Sequence, residues 1–338
     1  MKILVIQLRR IGDVIVTLPV VSALRAQFPQ ARIDFLVEPA AAPVVRGFPG
    51  VDDALVFEKR HFWRWAWDIR RRGYDWVLDF MNNPRTAQIA LLSGAPVRAG
   101  FEAPLWGRVY THRLPRPSVP QYAVQSKFDL LRALGLTPSV PALPEIRVTE
   151  EDFSPVGGWW KEKSMDAYAE RVAVMPAHRR PIRRWPAHKF SELIRLLNGK
   201  KDRAVILFGG PGEEGYIAGL RAPFSERVFA APVAGLRQAA ALLSRCHVAV
   251  TNCSGLMHLA VAVGTPTLTV YGPTWPESWN PRVRPHRYVQ TSGLRCIGCN
   301  RDECPYAHEC LEWISAERVC GETESMLKER RAVPAGGR

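Results

Sequence analysis

The sequence lacks long hydrophobic runs. Ile3 to Ile6 is followed at once by Gln7 and by Arg9-Arg10, too short for a signal-peptide core and far too short to cross a bilayer. Export is therefore not expected, and the expected compartment is the cytoplasm. Acidic residues are scarce beside basic ones: 32 Asp and Glu against 46 Lys and Arg leave a formal net charge of +14. That excess either favours anionic partners (nucleic acid, acidic lipid head groups, phosphorylated small molecules) or forms a solvated basic surface. Seven cysteines without a secretion signal do not read as a disulfide framework. There is no short repeat and no low-complexity tract. The rest is ordinary: 47% apolar and 23% charged residues exclude a mostly disordered or collagen-like chain. At roughly 150 residues per domain, 338 residues suggest two domains.

Short β-branched runs alternate with helical stretches along the chain. Strands are expected at Ile3–Leu8, Ile33–Val37, Ala54–Phe57 and Trp76–Phe80, then at Arg171–Met175, Ala204–Phe208, Arg227–Phe229, Val248–Val250 and Thr267–Tyr271. This alternation predicts βαβ units and parallel sheets covered on both faces. A Pro- and Gly-rich stretch over about residues 137–160 reads as a linker between two Rossmann-like halves. The expected domains are residues 1–155 and 156–338, with the last helix able to return to the first domain. The basic tail Lys328–Arg338 is expected to fray. In such sheets ligands bind beyond the carboxyl ends of the strands, and two facing domains make a cleft.

The chemistry-bearing motifs all follow strands. Gly12-Asp13 follows the first; Asp13 is either the cap of the next helix or a general base at the cleft. His178 to Pro186 carries Arg179, Arg180, Arg183 and Arg184, either a solvated loop or a bidentate grip on phosphate. Gly209 to Gly212 precedes Glu213 and Glu214, which either favour a helix N-terminus or accept hydrogen bonds from ribose hydroxyls. Ser254-Gly255-Leu256-Met257-His258 opens a helix, giving an ordinary N-cap with a packed histidine or a site for an anion. Arg60, Trp63, Arg64 and Trp67 interleave base and aromatic on a helix-like stretch. That stretch either packs its tryptophans on the sheet or meets an acidic amphiphile or an anionic membrane. Cys296, Cys299, Cys304 and Cys310 are either reduced thiols or a zinc set, although paired C-x2-C knuckles are absent.

Several segments together resemble the ADP-heptose:lipopolysaccharide heptosyltransferases: Gly12-Asp13-Val14 with Thr17-Leu18-Pro19, Tyr74–Asn83, Trp185-Pro186, Gly209 to Gly212, Ser254 to Ala260, and Gly264-Thr265-Pro266 through Gly272-Pro273-Thr274. The resemblance spans nearly the whole chain in order. It implies an α/β GT-B fold, two Rossmann-like domains whose parallel sheets face a central cleft. It further implies inverting transfer of heptose from ADP-heptose, a substrate, to the acidic or phosphorylated inner core of lipopolysaccharide. No metal or other cofactor is implied. The implied location is peripheral, on the inner face of the inner membrane. By position, Asp13 resembles the family's catalytic base. Arg180 and Arg183 (the latter at a lysine position), Glu213 or Glu214, Ser254, Gly255, Leu256 and His258 resemble its donor site. Gly12, Arg60 and Arg64 resemble its acceptor site. Cys253 departs from the aspartate the family commonly has, and a neutral thiol cannot hold sugar hydroxyls as a carboxylate does. The alternatives are a sugar-nucleotide epimerase on the same fold, or a transferase with another donor sugar. A specific nucleic-acid partner is not expected, since only the charge suggests it.

Overall fold

The computed structural model describes residues 1–224, 226–233 and 235–332. The chain forms two compact units, Met1–Ile146 and the remainder from Arg147. In the first, strands β1 (Lys2–Ile6), β2 (Arg32–Val37), β3 (Asp53–Val56), β4 (Trp76–Asp79), β5 (Val97–Phe101) and β6 (His112–Leu114) form one sheet in the order β3-β2-β1-β4-β5-β6. In the second, β7 (Glu170–Met175), β8 (Arg203–Leu207), β9 (Val228–Ala230), β10 (Val248–Asn252), β11 (Thr267–Tyr271) and β12 (Arg287–Gln290) run β12-β11-β10-β7-β8-β9. Every pairing is parallel. The expected doubly wound α/β architecture is therefore present twice. Ile3, Leu4, Val5 and Ile6 are fully buried on both faces of the sheet, which is why their run shows no alternation.

Three strands escaped the sequence reading. β5 carries Arg98 and Gly100, which break its apolar pattern. Gly100 is required because a Cβ there would lie 2.7 Å from the Tyr110 ring. β6 and β12 are edge strands with exposed, charged positions.

The expected linker also contains a helix. Glu150–Glu162 forms despite Pro155, Gly157 and Gly158. At its start Asp152 accepts the backbone N–H of Thr149 at 2.9 Å, and Glu150, Glu151 and Asp152 suit the positive end of the helix dipole. Tertiary contacts then outweigh the breakers. Arg237 donates to Asp152 at 2.8 and 2.5 Å, and the Arg245 guanidinium lies 3.5 Å from the Phe153 ring centroid. This helix packs on Leu236–Ser244, so the contacts divide the chain before it, whereas the sequence boundary at 155/156 falls inside it.

The last helix, Ala316–Ala332, packs on the helix Ala187–Leu197 and on β10 and β11. Residues 328–332 are helical rather than frayed. Arg330 donates to the His247 carbonyl at 2.8 Å, and Arg331 pairs with Glu170 at 2.6 Å. The remainder of the expected tail lies outside the described residues. Beneath this helix Arg203, with no exposed surface, pairs with Glu170 at 2.5 Å and with Glu324 at 2.7 Å. Among the described residues no helix is long and apolar enough to cross a membrane.

Replacing Arg203 by Met leaves Glu170 paired with Arg331 alone and Glu324 with Lys200 alone, and is expected to cost about 3 kcal/mol, the lower end for removing one member of a buried ion pair because each carboxylate keeps one cation. Urea denaturation measures it. The Glu324 carboxyl is held below its ordinary 4.5 by Arg203 and Lys200, against the opposing effect of burial. Its contribution is therefore complete above that value and lost as pH falls through the lower folded-state value. The gap between wild type and Arg203→Met should narrow in acid.

Candidate active site

In each sheet the strand order reverses once, between β1 and β4 and between β7 and β10. These are the topological switch points where doubly wound sheets bind ligands. In the first unit, Asp13 stands in the opening turn of the short helix Ile11–Ile15, directly beyond β1. Its carboxylate is half-buried and accepts one long hydrogen bond, 3.4 Å, from the Arg10 N–H. Gly12 beside it is buried. Across the switch point, Asp79 at the end of β4 is wholly buried and accepts the N–H groups of Met81 and Asn82 at 3.0 and 2.9 Å and the Tyr110 hydroxyl at 2.7 Å. Burial pushes the Asp79 carboxyl upward, and these donors partly oppose it. Lys127 is also buried here, donating to Gln7 Oε1 at 3.2 Å.

The second switch point joins two of the sequence motifs. Asn252, at the end of β10 and fully buried, accepts the Trp185 N–H at 2.9 Å and donates to the Pro176 carbonyl at 2.8 Å. One amide thus ties the arginine loop to the Ser254-Gly255 turn. Burial and the neighbouring Arg183 hold His178 down at about 4, so it is neutral at physiological pH. Arg183 is half-buried and donates to Asn300, while Arg180 pairs with Asp302 at 2.7 Å. Arg184 faces elsewhere, donating to the His178 carbonyl and stacking 4.7 Å from the Tyr216 ring centroid. Ser254 caps the helix Gly255–Ala262 by backbone alone, and its buried hydroxyl has no hydrogen-bond partner. With Gly255 and Leu256 it opens that helix, whose first N–H groups suit an anion.

A family model described as glycosyltransferase family 9 (heptosyltransferase) matches residues 62–309, well over half of the chain. The chain belongs to that family. Lipopolysaccharide heptosyltransferase 2 of Salmonella typhimurium is 27% identical to it over 97% of this chain and 99% of its own length. Lipopolysaccharide heptosyltransferase 1 of Escherichia coli K12 is 26% identical over 82% and 89%. The solved structure of E. coli ADP-heptose lipopolysaccharide heptosyltransferase II aligns with a TM-score of 0.82, at 24% identity over 98% of this chain and all of that one. The fold is GT-B, and the chain is a heptosyltransferase of the glycosyltransferase class.

Other expected site residues of this heptosyltransferase are distributed unevenly. Glu213 turns inward, its carboxylate accepting the Gly210 N–H at 2.7 Å. Glu214 is exposed and accepts the Gly212 N–H at 3.1 Å. It lines a cavity of about 680 Å³ with Gly209, Gly210, Trp159 and Phe229. A Cβ on Gly209 would lie 2.6 Å from Ile217, which explains the glycine. His258 is 3% exposed, held at about 4 by burial, with its ring 5.8 Å from that of Trp279. It is a packed neutral histidine.

On the helix Phe62–Arg72, Ala66 and Ile69 face inward, while Trp63 and Trp67 are 75% and 56% exposed. The expectation that the tryptophans pack on the sheet therefore applies only to half-buried Trp65, 6.0 Å from Phe57. Arg60 and Arg64 are exposed on the same segment.

Cys296, Cys299, Cys304 and Cys310 line one small cavity with Ile182 and His308. Burial and the other three sulfurs push the Cys310 thiol up to about 12. Among the described residues no group of three His, Cys, Asp or Glu side chains is arranged to hold a metal. The loop bearing these thiols also braces the arginines, through Asn300, Asp302 and the bond between His308 and the Ile182 carbonyl at 2.6 Å.

The motif reading passed over Asn252 and Lys127. Asn252 lies two residues before the Ser254 motif, beside Cys253, where its side chain carries no local signal. Lys127 had a legible signal, a lysine on the apolar stripe Val124, Lys127, Phe128, Leu131. Asn252→Leu, close in shape, strands the Trp185 N–H and the Pro176 carbonyl. It should lower stability by about 1–3 kcal/mol per stranded group, read as a drop in melting temperature.

Proposed function

We propose that this enzyme transfers heptose, with inversion, from ADP-heptose to the inner core of lipopolysaccharide. The observation that carries the reading is the division of chemistry between the two switch points: a half-exposed carboxylate, Asp13, at one, and Arg180, Arg183 and the Ser254-Gly255 turn at the other. Asp13 takes the proton from an acceptor hydroxyl as its oxygen attacks the anomeric carbon. The bond from that carbon to the diphosphate oxygen breaks on the opposite face, and ADP departs. Arg183, Arg180 and the N–H groups opening the helix Gly255–Ala262 stabilise the charge growing on the leaving diphosphate. Glu214 is the better candidate of the two acids for ribose, because it is exposed and lines the cavity, whereas Glu213 turns inward onto Gly210. A sugar-nucleotide epimerase would consume the donor with no acceptor present, so the requirement for acceptor separates the two activities.

Asp13→Ala should lower kcat by on the order of 10²- to 10⁴-fold, the usual worth of a general base, while calorimetry finds ADP affinity little changed. Equal loss of both would count against the role of base. Arg183→Ala should instead weaken ADP binding, by about 1.5–3 kcal/mol for a hydrogen bond to a charged group. Mass analysis of products from cores truncated before the first or second heptose identifies the position extended. Replacing ADP-heptose by other nucleotide sugars tests the effect of Cys253 on donor choice.

We further propose that Gly12, Arg60 and Arg64 meet the acidic acceptor. The outward face bearing Trp63 and Trp67, with Arg71 stacked 4.3 Å from the Trp67 ring centroid, rests on the anionic inner face of the inner membrane. Trp63→Ser/Trp67→Ser should release the enzyme from vesicles of phosphatidylglycerol and phosphatidylethanolamine and leave turnover of a delipidated acceptor intact. Retention on such vesicles would remove the membrane assignment alone.

A further inference from the structure

The helix Ala123–Arg132 places a lysine where its apolar stripe calls for a hydrophobic residue. Lys127 is 7% exposed, donates to Gln7 Oε1 at 3.2 Å and stands 5.0 Å from the centroid of the Phe80 ring. An ammonium has three N–H donors, and burying its charge is costly.

Two carboxylates act on this ammonium, Asp13 beyond β1 and Asp79 at the end of β4. They are not equivalent. Asp79 is wholly buried and committed to the Met81 and Asn82 amides and the Tyr110 hydroxyl. Asp13 is half-exposed, with one long bond from the Arg10 amide. The other ionisable groups of the packed elements are engaged elsewhere. Arg25 of the helix Leu18–Gln27 binds Asp52 and the carbonyls of Pro29 and Ala31. Arg98 of β5 binds the carbonyls of Val109 and Ala95. Asp129, on the lysine's own helix, binds Gln121 and Arg132.

We propose that Lys127 is a positioning residue for glycosyl transfer: its ammonium, fixed by Gln7, supplies the positive charge that acts on the Asp13 carboxylate as it meets the acceptor hydroxyl. The working form of the site then has Lys127 protonated. The proposal rests on the reading of Asp13 as the base.

Burial draws Lys127 down to about 8, with the two carboxylates opposing. Between that value and its ordinary 10.5 the folded chain binds fewer protons than the unfolded one. Its charge therefore destabilises the fold at neutral pH, and this penalty lessens as pH rises through that window. A costly buried charge beside a candidate base fits a catalytic need better than a scaffolding one.

The test is kcat and KM with ADP-heptose and a soluble core acceptor from about pH 6 to about pH 10, for wild type, Lys127→Met, Lys127→Arg and Asp13→Ala, with melting temperatures alongside. Wild-type kcat should fall above about pH 8 as the ammonium deprotonates. Lys127→Met should lose on the order of 10- to 100-fold in kcat, part of what general-base catalysis supplies. Its KM should change little, and its melting temperature at pH 7 should be equal or higher. Lys127→Arg should recover part of the loss and abolish the alkaline fall, because a guanidinium keeps its proton there. Wild-type kcat in Lys127→Met, or an unchanged alkaline fall in Lys127→Arg, overturns the proposal; should the methionine variant not fold, the arginine profile decides. An Asp13→Ala enzyme that still transfers defeats the reading of the base. An inactive Asp13→Ala beside unaffected Lys127 variants defeats the present proposal alone.

Discussion

A parallel sheet covered by helices on both faces has nowhere to put polar chemistry except beyond its strand ends. The two sheets here obey that constraint strictly: Ile3 to Ile6 in one and Val172 to Val174 in the other are fully buried, and polarity begins where the strands stop. At the switch point the neighbouring connections leave toward opposite faces, and the space opened between them must be held by something. In the second unit Asn252 holds it, accepting from Trp185 and donating to Pro176. In the first, Gln7, Asp79 and Lys127 hold it, at a higher electrostatic cost. Transferase chemistry suits this layout because it needs polar groups at the ends of rigid elements, and strand ends are the best-fixed points of the fold.

Buried charge does different work in different places. Arg203 with Glu170 and Glu324, and Asp34 with Tyr74 and Arg72, tie helices to interior strands with their hydrogen-bonding capacity largely used. Such clusters hold elements in register, and removing one member costs more than the intact pair contributes. Lys127 differs because one of the carboxylates acting on it, Asp13, is open to solvent and weakly held. The arginines of the second unit likewise remain exposed enough to bind, yet are steadied by Asn300 and Asp302 from the cysteine-bearing loop. That loop thus braces the arginine segment, and its thiols line one small cavity.

Most of the fold was legible because its signals are local. Apolar runs of four to six residues followed by helical periodicity name a buried strand and its helix directly, and nine strands were found this way near their observed bounds. The misses have nonlocal causes. β5 is written around the Tyr110 ring, which forces Gly100 into a strand. The helix Glu150–Glu162 survives Pro155 because Arg237 and Arg245 grip its side chains from far along the chain. The site shows the same split. Asp13, Arg180, Arg183 and Ser254 stand out as candidates in the sequence because each lies in a segment that follows a strand. What each side chain touches was not legible: only the fold buries His258 beside Trp279 and turns Glu213 onto the Gly210 N–H.

The sequence alone determined the twofold α/β pattern, the strand-end positions of the motifs, the basic character and the family, since each depends on residues adjacent in the chain or on an ordered series of motifs. The tertiary structure decided which polar groups are spent on the fold and which remain for a ligand. It alone turned Glu213 inward, gave Asn252 two partners and set Lys127 in the field of Asp13. The reason is physical: hydrogen bonding, desolvation and Coulomb energy depend on distances through space. Gln7 and Lys127, 120 positions apart in the chain, come within bonding distance only once the sheet and its helices have packed.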